Sequence, residues 1–366
     1  MSVSALTAPG SHLAPVSPQL LAHGIRRHNR ALVLRTLMRE ATASRADLAR
    51  ITGLTRPTVS DVVKNLLDDG VIVETGERHV SRPGKPAVML EFDHDAAQIV
   101  AVDLSDPRRA VGALVGTDGT IAHRMTGDGA TTSDTAVGTA SALADALAAL
   151  SSRPLLGVGV AAPVDGWDPH PTDDLTARLT AAVGLAARAP VQVHADADLA
   201  AHAEHRFAAA DDDAGFLLVR IGACTATTVV NGDLGPDGVT APARELAHLR
   251  VGDTPGPRCR CGQLGCVHGW IGEALSSSPE DPVRATAARH LGTALAAITS
   301  ALDLPRIVLS GPVDELFCAA VGAAVVGSTR TAYLPTTATV VHLAQVEDAV
   351  LRGAASRVLA AELGLA

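Results

Sequence analysis

The sequence predicts an α/β protein with two parts: a small winged helix-turn-helix domain and a larger body in which strands alternate with helices. Residues 25–92 show helical periodicity followed by two extended runs, whereas apolar strands and alanine-rich helical stretches alternate from about Ala97 onwards. Residues 25–90 carry 12 Lys and Arg against 7 Asp and Glu, a net charge of +5, while the rest of the chain carries −14. A chain of 366 residues has room for two or three domains.

The first 24 residues contain no charged side chain and are rich in Ala, Pro, Ser and Leu. They lack the basic start and the continuous apolar core of a signal peptide, so we expect a disordered tail over residues 1–24. No later stretch approaches 18 uncharged apolar residues, which argues against a membrane span. We therefore expect a cytoplasmic protein with no membrane partner, whose thiols stay reduced.

The N-terminal domain, residues 25–92, has the pattern of a winged helix-turn-helix. Helices are expected over residues 30–41, 45–51 and 56–69. Ser44 is a typical N-cap for the second helix, Gly53 turns the chain, and Thr55 caps the third helix, which carries Pro57 in its first turn. Two extended runs, residues 71–74 and 87–92, then form a wing with a proline-stiffened loop between them.

This pattern, together with the local positive charge, indicates that the domain binds double-stranded operator DNA. A recognition helix would enter the major groove, and the wing would place cations against phosphates. The candidate DNA contacts are Arg45, Arg56, Thr58, Ser60 and Lys64 on the helices, and Arg82 and Lys85 at the tip of the wing. One such domain reads only a half-site, so we expect at least a dimer. The alternative is a three-helix packing domain with no role in DNA binding.

The body has the alternation of strands and helices that is typical of an α/β fold. Strands are expected at residues 99–104, 110–115, 155–162, 191–193, 216–221, 227–231 and 306–309, and helices at 135–150, 198–210, 283–302 and 346–363. Two similar openings, near residues 99 and 217, suggest a duplicated α/β unit with a cleft between the copies. We expect a first lobe over residues 93–205, a second over 206–345 and a C-terminal helix within 346–366.

Three cysteines and one histidine have the composition of a closed tetrahedral zinc site. The stretch Cys259-Arg-Cys261-Gly-Gln-Leu-Gly-Cys266 follows His248 by eleven residues. Glycines inside the stretch allow the backbone to double back, so that three sulfurs can converge on one point. Four protein ligands leave no open position, so the zinc would be structural rather than catalytic. The alternative is a reactive cysteine cluster or a disulfide loop.

A winged helix followed by this body, with Glu245-Leu-Ala-His248 and then Cys-x-Cys-Gly-x-x-Gly-Cys, resembles the ROK family of repressors and sugar kinases. The resemblance is strongest to the branch of transcriptional repressors. It implies an actin-like, sugar-kinase-type fold of two α/β lobes, with a sugar bound in the cleft beside the zinc loop. It also implies homodimers or homotetramers.

The phosphate loops of the kinase members are altered in this chain. Their Asp-x-Gly-Gly-Thr loop reads Asp103-Leu-Ser-Asp106, and without glycines the backbone cannot close around a phosphate. The second phosphate-binding turn of the kinase members corresponds here to Gly222-Ala-Cys-Thr. The glycine pair of their nucleotide site corresponds to Ser310-Gly311. We therefore expect that ATP binding is lost, that no catalytic residue remains and that the protein is not an enzyme. A sugar kinase with an added DNA-binding domain is the alternative.

The sugar site implied by the resemblance is also changed. Asp196 matches the carboxylate that accepts a sugar hydroxyl, but Ala195 replaces its amide neighbour, and His268 stands where a glutamate is usual. The expected effector residues are Asp196, Glu245, His248 and His268, contacting a sugar or sugar derivative. Asp196 could equally be an ordinary acid at a helix N-terminus, and the changes leave open a regulator that needs no ligand. The other polar candidates, His202, His205, Cys224 and Cys318, are interpreted as structural.

Overall fold

The computed structural model describes residues 18–78, 87–162, 173–208, 215–230, 240–242, 244–252, 255–329 and 339–365. The chain divides into two compact units, residues 1–92 and 93–366. This boundary falls where the sequence pattern changes from basic and helical to alternating strands and helices. Within the described ranges, no helix is both long enough and apolar enough to cross a membrane.

The N-terminal unit contains three helices and a small sheet. Its elements are α1 (Pro18–Glu40), β1 (Thr42–Ser44), α2 (Arg45–Thr52), α3 (Arg56–Asp68), β2 (Ile72–Arg78) and β3 (Ala87–Phe92). The strands lie in the order β1-β3-β2, and both pairings are antiparallel. Helix α1 already begins at Pro18, so the expectation of a disordered tail is wrong for residues 18–24. The rest of the expected tail, residues 1–17, lies outside the described residues.

Local caps explain why the chain turns twice within this unit. Ser44 begins α2 with a capping box, because its hydroxyl accepts from the amide of Asp47 and the Asp47 carboxylate accepts from the amide of Ser44. Gly53 ends α2 with φ 71°, a left-handed conformation that favours glycine. Thr55 then caps α3 by accepting from the amide of Thr58. These contacts place α2 and α3 as the helix pair that the sequence predicts.

The core of the N-terminal unit consists of aliphatic side chains from all three helices and the wing. Its fully buried members are Val33, Leu34, Leu37, Leu48, Val59, Val63, Leu66, Ile72 and Leu90. Because Val59, Val63 and Leu66 recur at helical spacing, they orient α3 with one face inward and the opposite face exposed.

The body begins with a five-stranded mixed sheet, which we call lobe 1. Its elements are β4 (Gln98–Asp103), β5 (Arg109–Gly116), β6 (Ile121–Asp128), α4 (Ser133–Leu150), β7 (Leu155–Ala162), α5 (Asp173–Ala187), β8 (Val191–Ala195) and α6 (Asp196–Phe207). The strand order is β6-β5-β4-β7-β8, with antiparallel pairing from β6 to β4 and parallel pairing from β4 to β8.

Lobe 2 has a second five-stranded sheet. Its elements are β9 (Phe216–Ile221), β10 (Thr225–Val230), β11 (Thr240–Pro242), a 3-10 turn (Arg244–His248), α7 (Val267–Ser276), α8 (Pro282–Leu302), β12 (Arg306–Ser310), α9 (Glu315–Thr329) and β13 (Val340–Leu343). The order β11-β10-β9-β12-β13 repeats that of lobe 1, again with two antiparallel and two parallel pairings. The two similar openings in the sequence are β4 and β9, the central strands of the two sheets.

The last helix, α10 (Ala349–Leu363), belongs to lobe 1 although it follows lobe 2 in the chain. It packs against α6 and across strands β4, β7 and β8. The sequence predicts a helix over residues 346–363, and the observed helix begins three residues later and ends at the same residue. Lobe 2 is therefore inserted between α6 and α10.

Several elements of the body are missing from the sequence prediction. These are β6, α5, β11, the 3-10 turn, α7, α9 and β13. Strand β6 is mostly exposed, so it lacks the apolar run by which a buried strand is recognised. Helices α5 and α9 are rich in alanine and glycine, so their apolar positions do not stand out with a helical period.

A substitution at Gly353 tests the packing of α10. A Cβ atom at this position would lie 1.8 Å from the carbonyl oxygen of Leu199 in α6. We expect Gly353→Ala to lower the free energy of unfolding of the body by about 3 kcal/mol, because backbone must move to admit one methyl group. Unfolding in urea, followed by circular dichroism, measures the change.

The control for this test is Gly138→Ala in α4, where an added Cβ meets no atom within 4 Å. That substitution should stabilise the body by about 0.5–1 kcal/mol, because alanine is favoured over glycine inside a helix. Equal effects of the two substitutions would contradict the close approach of α10 and α6.

Candidate functional site

The structure brings the four predicted metal ligands together in lobe 2. The ligand atoms of His248, Cys259, Cys261 and Cys266 all lie within 4.8 Å of one another. The Cys259 sulfur lies 3.5 Å from His248 Nδ1, and the Cys261 and Cys266 sulfurs are 3.6 Å apart. All five cysteines of the chain carry free thiols. The four ligand atoms are therefore close enough together to share one metal ion.

Two tight turns fold the cysteine stretch back on itself. Gly262 and Gly265 have φ values of 89° and 76°, a region that glycine adopts without strain. The amide of Gly262 donates to the Cys259 carbonyl at 2.9 Å, and the amide of Cys259 donates to the Gln263 carbonyl at 2.8 Å. This hairpin holds the first two thiols at its tip. The third thiol, Cys266, lies at the start of α7.

His248 reaches the cluster from the 3-10 turn that precedes the hairpin. The amide of Val251 donates to the Gly265 carbonyl, and the amide of Val267 donates to the Leu249 carbonyl. These bonds pin the segment after His248 against the segment around Cys266. The histidine is therefore held beside the thiols by the backbone, although it is far from them in sequence.

The donor set suits zinc. Three sulfurs and one imidazole nitrogen are soft to borderline ligands that together complete a tetrahedral site. Burial and the neighbouring Cys261 and Cys259 thiols raise the pKa of Cys266. A backbone hydrogen bond at Gln263 and the contacts with the Cys259 and Cys266 thiols lower the pKa of Cys261. A divalent cation at the centre of the cluster would favour the thiolate form of the cysteines.

Two further polar groups lie beside the cluster. The His268 ring lies 6.4 Å from the His248 ring, edge to face, and its Nδ1 is 3.2 Å from the Thr225 hydroxyl. Arg260, between two of the metal-ligand cysteines, donates to the Cys224 sulfur at 2.8 Å. Glu245 lies in the 3-10 turn with His248, but its side chain is outside the described part of the structure. The structure thus brings His268 and His248 together at the start of α7.

Asp196 is a buried carboxylate at the start of α6, only 8% exposed. Burial raises its pKa to about 6, and the nearby Asp103 and Asp198 add to the shift, while Arg220 opposes it. The carboxylate is therefore mostly ionised at pH 7.5 and can accept hydrogen bonds. Its position fits both interpretations of the sequence, a helix N-terminal acid and a buried acceptor.

Arg220 is a site residue that the sequence interpretation missed. It lies on β9, and its Nε is 3.5 Å from the Asp196 carboxylate. The same Nε is buried and has no hydrogen-bond acceptor. The sequence contains one indication of this role, because Arg220 is the single charged residue in the otherwise apolar strand Phe216–Ile221. A charged residue in a central, buried strand is expected to pair with a carboxylate from another element.

The loop that would cradle a phosphate in a kinase is closed by its own carboxylates. Asp103 accepts from the amide of Ser105 at 2.9 Å and from its hydroxyl at 2.6 Å. Asp106 accepts from the amide of Arg108 at 2.8 Å. Backbone donors that a phosphate loop would offer to its ligand are therefore already used within the turn.

The candidate DNA contacts differ in their exposure and in their contacts within the protein. Arg56, Ser60 and Lys64 are exposed on α3. Thr58 is half-buried, and its hydroxyl is 2.9 Å from that of Thr55. Arg45 forms an ion pair with Glu74 of strand β2 at 3.2 Å. The wing-tip residues Arg82 and Lys85 lie outside the described residues.

Comparison with known proteins agrees with this division of the chain. Residues 107–280 match the ROK family model, and residues 26–73 match a model for winged helix-turn-helix DNA-binding domains. The chain carries a ROK family domain behind a winged helix-turn-helix. The resemblance noted from the zinc motif and the winged helix is confirmed.

Curated relatives of this chain include xylose repressors. The xylose repressor of Bacillus subtilis is 26% identical over 256 residues, and the match covers 66% of this chain and 65% of the relative. A putative xylose repressor of a Caldicellulosiruptor species is 24% identical over 271 residues, with coverage of 68% and 65%. The chain thus matches slightly less than two thirds of the length of these relatives.

Solved structures support the fold. A ROK family transcriptional regulator, described as a homolog of the E. coli MLC protein, aligns with a TM-score of 0.72 and 20% identity, covering 93% of this chain and 98% of the other. A ROK family glucokinase from Streptomyces griseus, in complex with glucose and AMPPNP, aligns with a TM-score of 0.57 and 20% identity, covering 71% and 98%. The prediction of a winged helix followed by a sugar-kinase-type fold is confirmed.

Replacing one thiol tests the candidate metal centre. We expect the purified wild-type protein to hold about one zinc per chain and Cys266→Ser to hold almost none, because three ligands bind a structural zinc far less tightly than four. The unfolding free energy of the variant should fall by several kcal/mol, since metal binding contributes directly to folding. Metal content by plasma mass spectrometry and unfolding in urea are the two measurements.

Cys318→Ser, at a buried cysteine of α9 outside the cluster, is the matched control and should keep its zinc. A wild-type protein that is free of metal after purification in zinc-containing medium would show that the cluster is a set of thiols and not a metal centre.

Proposed function

We propose that this protein is a DNA-binding transcriptional repressor whose ROK body responds to a sugar or sugar derivative. The observation that carries the proposal is the exposed face of α3, which presents Arg56, Ser60 and Lys64 in a unit that is joined to a ROK domain. The xylose repressors among its relatives support this function for the whole chain.

Recognition of an operator would use the outer face of α3. Arg56 and Ser60 can donate to base edges, while Lys64 can neutralise a phosphate. The ion pair of Arg45 with Glu74 is exposed, so its free energy is small and Arg45 could exchange Glu74 for a phosphate. The Thr58 hydroxyl is 2.9 Å from that of Thr55, so Thr58 would help to hold the start of α3 in place rather than contact DNA directly. Arg82 and Lys85 would add wing contacts.

A repressor of this kind needs two winged helices to read a two-fold operator. We propose that the body forms a homodimer or homotetramer and thereby sets the spacing of the two DNA-binding domains. Zinc held by His248, Cys259, Cys261 and Cys266 would act as a structural clamp on lobe 2. It would keep the 3-10 turn and the start of α7 together, where the His248 and His268 rings lie edge to face, 6.4 Å apart.

The effector would bind in the cleft near Asp196, His248 and His268, with Glu245 from the 3-10 turn as a further contact. Asp196 is ionised at neutral pH and can accept a sugar hydroxyl, which would replace part of its interaction with Arg220. Such a ligand can change DNA binding only if it prefers one arrangement of the lobes over another.

We expect no kinase activity from this protein. The loop after β4 uses its backbone donors on Asp103 and Asp106, so it offers no phosphate cradle of the kinase type. A second candidate function is a DNA-binding regulator that needs no ligand. The ion pair between Asp196 and Arg220 favours it, because a paired carboxylate is less available to a sugar.

Loss of Lys64 tests DNA binding. We expect Lys64→Gln to weaken binding to a fragment from the protein's own promoter about tenfold, and to reduce the slope of log affinity against log salt by about 1, because one phosphate contact is lost. Fluorescence anisotropy at several salt concentrations measures both quantities.

Arg289→Gln removes an exposed cation from α8 of the body and should leave both quantities unchanged. If wild-type binding does not depend on salt, or if the two variants behave alike, α3 does not face DNA in the manner proposed.

Loss of the buried carboxylate tests the sugar response. We expect one member of a pentose and hexose panel to raise the melting temperature of the wild-type protein and to release it from DNA. Asp196→Asn should bind that sugar at least tenfold more weakly, since a charge-assisted hydrogen bond is lost. Thermal melting and DNA release, each measured against sugar concentration, give the result.

Asp145→Asn, at an exposed acid of α4, is the matched control and should respond like the wild type. A panel without any thermal shift would favour the regulator that needs no ligand. ATP-dependent phosphorylation of the same panel should stay at background, and turnover of any sugar would revive the kinase alternative.

A further inference from the structure

The linker that returns the chain from lobe 2 to lobe 1, residues 344–348, is held by a buried carboxylate. Glu204 of α6 is only 5% exposed, and its carboxylate accepts from the amide of Gln345 at 3.2 Å and from that of Val346 at 2.8 Å. Hydrogen bonds to an ionised carboxylate are stronger than those between neutral groups. Glu204 therefore attaches the linker to lobe 1.

The imidazole of His342, on β13 just before the linker, is buried without a hydrogen bond. Both of its ring nitrogens are buried, and neither has a partner among the residues that the structure describes. The preceding residue, Val341, faces α9, because an added Cβ at Gly322 would lie 3.6 Å from the Val341 side chain. Successive side chains of a strand point to opposite faces, so His342 points away from α9. A buried polar ring without a partner is unusual and requires a reason.

A cavity of about 20 Å³ lies on this side of the sheet, between α6 and the strands β12 and β13. This volume has room for about one water molecule, so the side chains around it are close neighbours. The charged and titratable groups that face His342 across the cavity are Glu204 and His205 of α6 and Arg306 of β12. The Arg306 guanidinium also lies 5.6 Å from the centre of the Phe216 ring.

The surroundings of His342 keep its imidazole neutral. Burial and the positive charge of Arg306 lower the pKa of His342, while the carboxylate of Glu204 opposes this shift. A protonated imidazole would carry two N–H donors and a positive charge. It would be repelled by Arg306 and attracted to Glu204, the one carboxylate among the described residues that line the cavity.

We propose that Glu204 and His342 form a pH-sensitive latch on the linker between the lobes. While the imidazole is neutral, the Glu204 carboxylate stays bonded to the amides of Gln345 and Val346. When the pH falls, the protonated imidazole becomes a charged donor that competes with these amides for the same carboxylate. The linker is then held less firmly to α6. This inference goes beyond the proposed function, and it requires neither DNA nor a sugar.

The sign of the effect follows from the lowered pKa of His342. An exposed or unfolded histidine titrates at about pH 6.5, so protonation favours any state in which His342 leaves the cavity. The attachment of the linker is therefore fully present above this pH and is lost as the pH falls through the lowered pKa. His194 and His202, whose pKa values are lowered to about 4 and about 3, give the whole body a loss of stability of the same sign. The test must therefore report on the linker alone.

Hydrogen exchange at the amides of Gln345 and Val346 provides this local measurement. The full-length protein is compared at about pH 7.5 and about pH 5.0, with each rate divided by that of an unstructured peptide at the same pH. We expect the protection of both amides to fall about fivefold at the lower pH in the wild type, and less than about twofold in His342→Gln, because glutamine does not titrate. His123→Gln, at an exposed histidine of β6, is the matched control and should behave like the wild type.

A second variant, Glu204→Gln, tests the other half of the latch. Its neutral amide is a weaker acceptor, so both linker amides should be less protected at the higher pH and should lose little further protection at the lower pH. Equal losses of protection in the wild type and in His342→Gln would assign the pH dependence to other groups and overturn the proposal. Constant protection in the wild type would overturn it as well. Circular dichroism at both pH values verifies that each variant is folded.

Discussion

The close packing of α10 against α6 and the sheet of lobe 1 is the constraint on which the two-lobed body depends. A Cβ atom at Gly353 in α10 would lie 1.8 Å from the carbonyl oxygen of Leu199 in α6, and one at Gly159 in β7 would lie 2.6 Å from that of Ala354 in α10. Glycine is therefore needed both where α10 meets α6 and where it meets β7. Arg357 of α10 extends this contact, because its guanidinium lies within 3.3 Å of both His194 Nε2 and His202 Nε2. Burial lowers the pKa of these histidines to about 4 and about 3, which keeps both neutral beside the arginine. These contacts agree with the interpretation of His202 as a structural residue.

Because α10 returns to lobe 1, the chain crosses between the lobes twice and a cleft is left between two equivalent sheets. Glu204 in α6 secures the second crossing by accepting from the amides of Gln345 and Val346, at 3.2 and 2.8 Å. The bonds place the linker that leads from β13 to α10. The same linker borders a cavity lined by Arg109, Arg124 and Arg220, so the geometry of that cavity follows from how the lobes are joined.

The body has a sugar-kinase-type fold, and two of its polar sites make contacts within the protein. Where a kinase would offer backbone amides to a phosphate, Asp103 and Asp106 accept those amides themselves. Where a sugar would meet an unpaired acceptor, Asp196 already faces Arg220. In both places, side-chain or backbone groups are engaged within the protein. The cluster of His248 and the three cysteines does not depend on these sites, because its hairpin is built from local turns.

The sequence was sufficient for features that arise from short stretches of chain. Ser44, Gly53 and Thr55 predict the two helices α2 and α3, because caps and left-handed turns depend on a few neighbouring residues. The spacing of Cys259, Cys261 and Cys266 likewise predicts a shared site, because a short hairpin with glycine turns can bring the sulfurs together. Buried strands such as β7 and β9 were recognised with their observed bounds, because continuous apolar runs mark them.

Only the tertiary structure decided which distant residues meet. The pairing of Asp196 with Arg220, the return of α10 to lobe 1 and the gathering of Arg109, Arg124 and Arg220 around one cavity all join segments that lie far apart in the chain. Periodicity and local spacing describe the faces of single elements, whereas these contacts depend on how whole elements stack. An arginine in a strand therefore shows that a partner must exist, but the packing of the two lobes selects the partner.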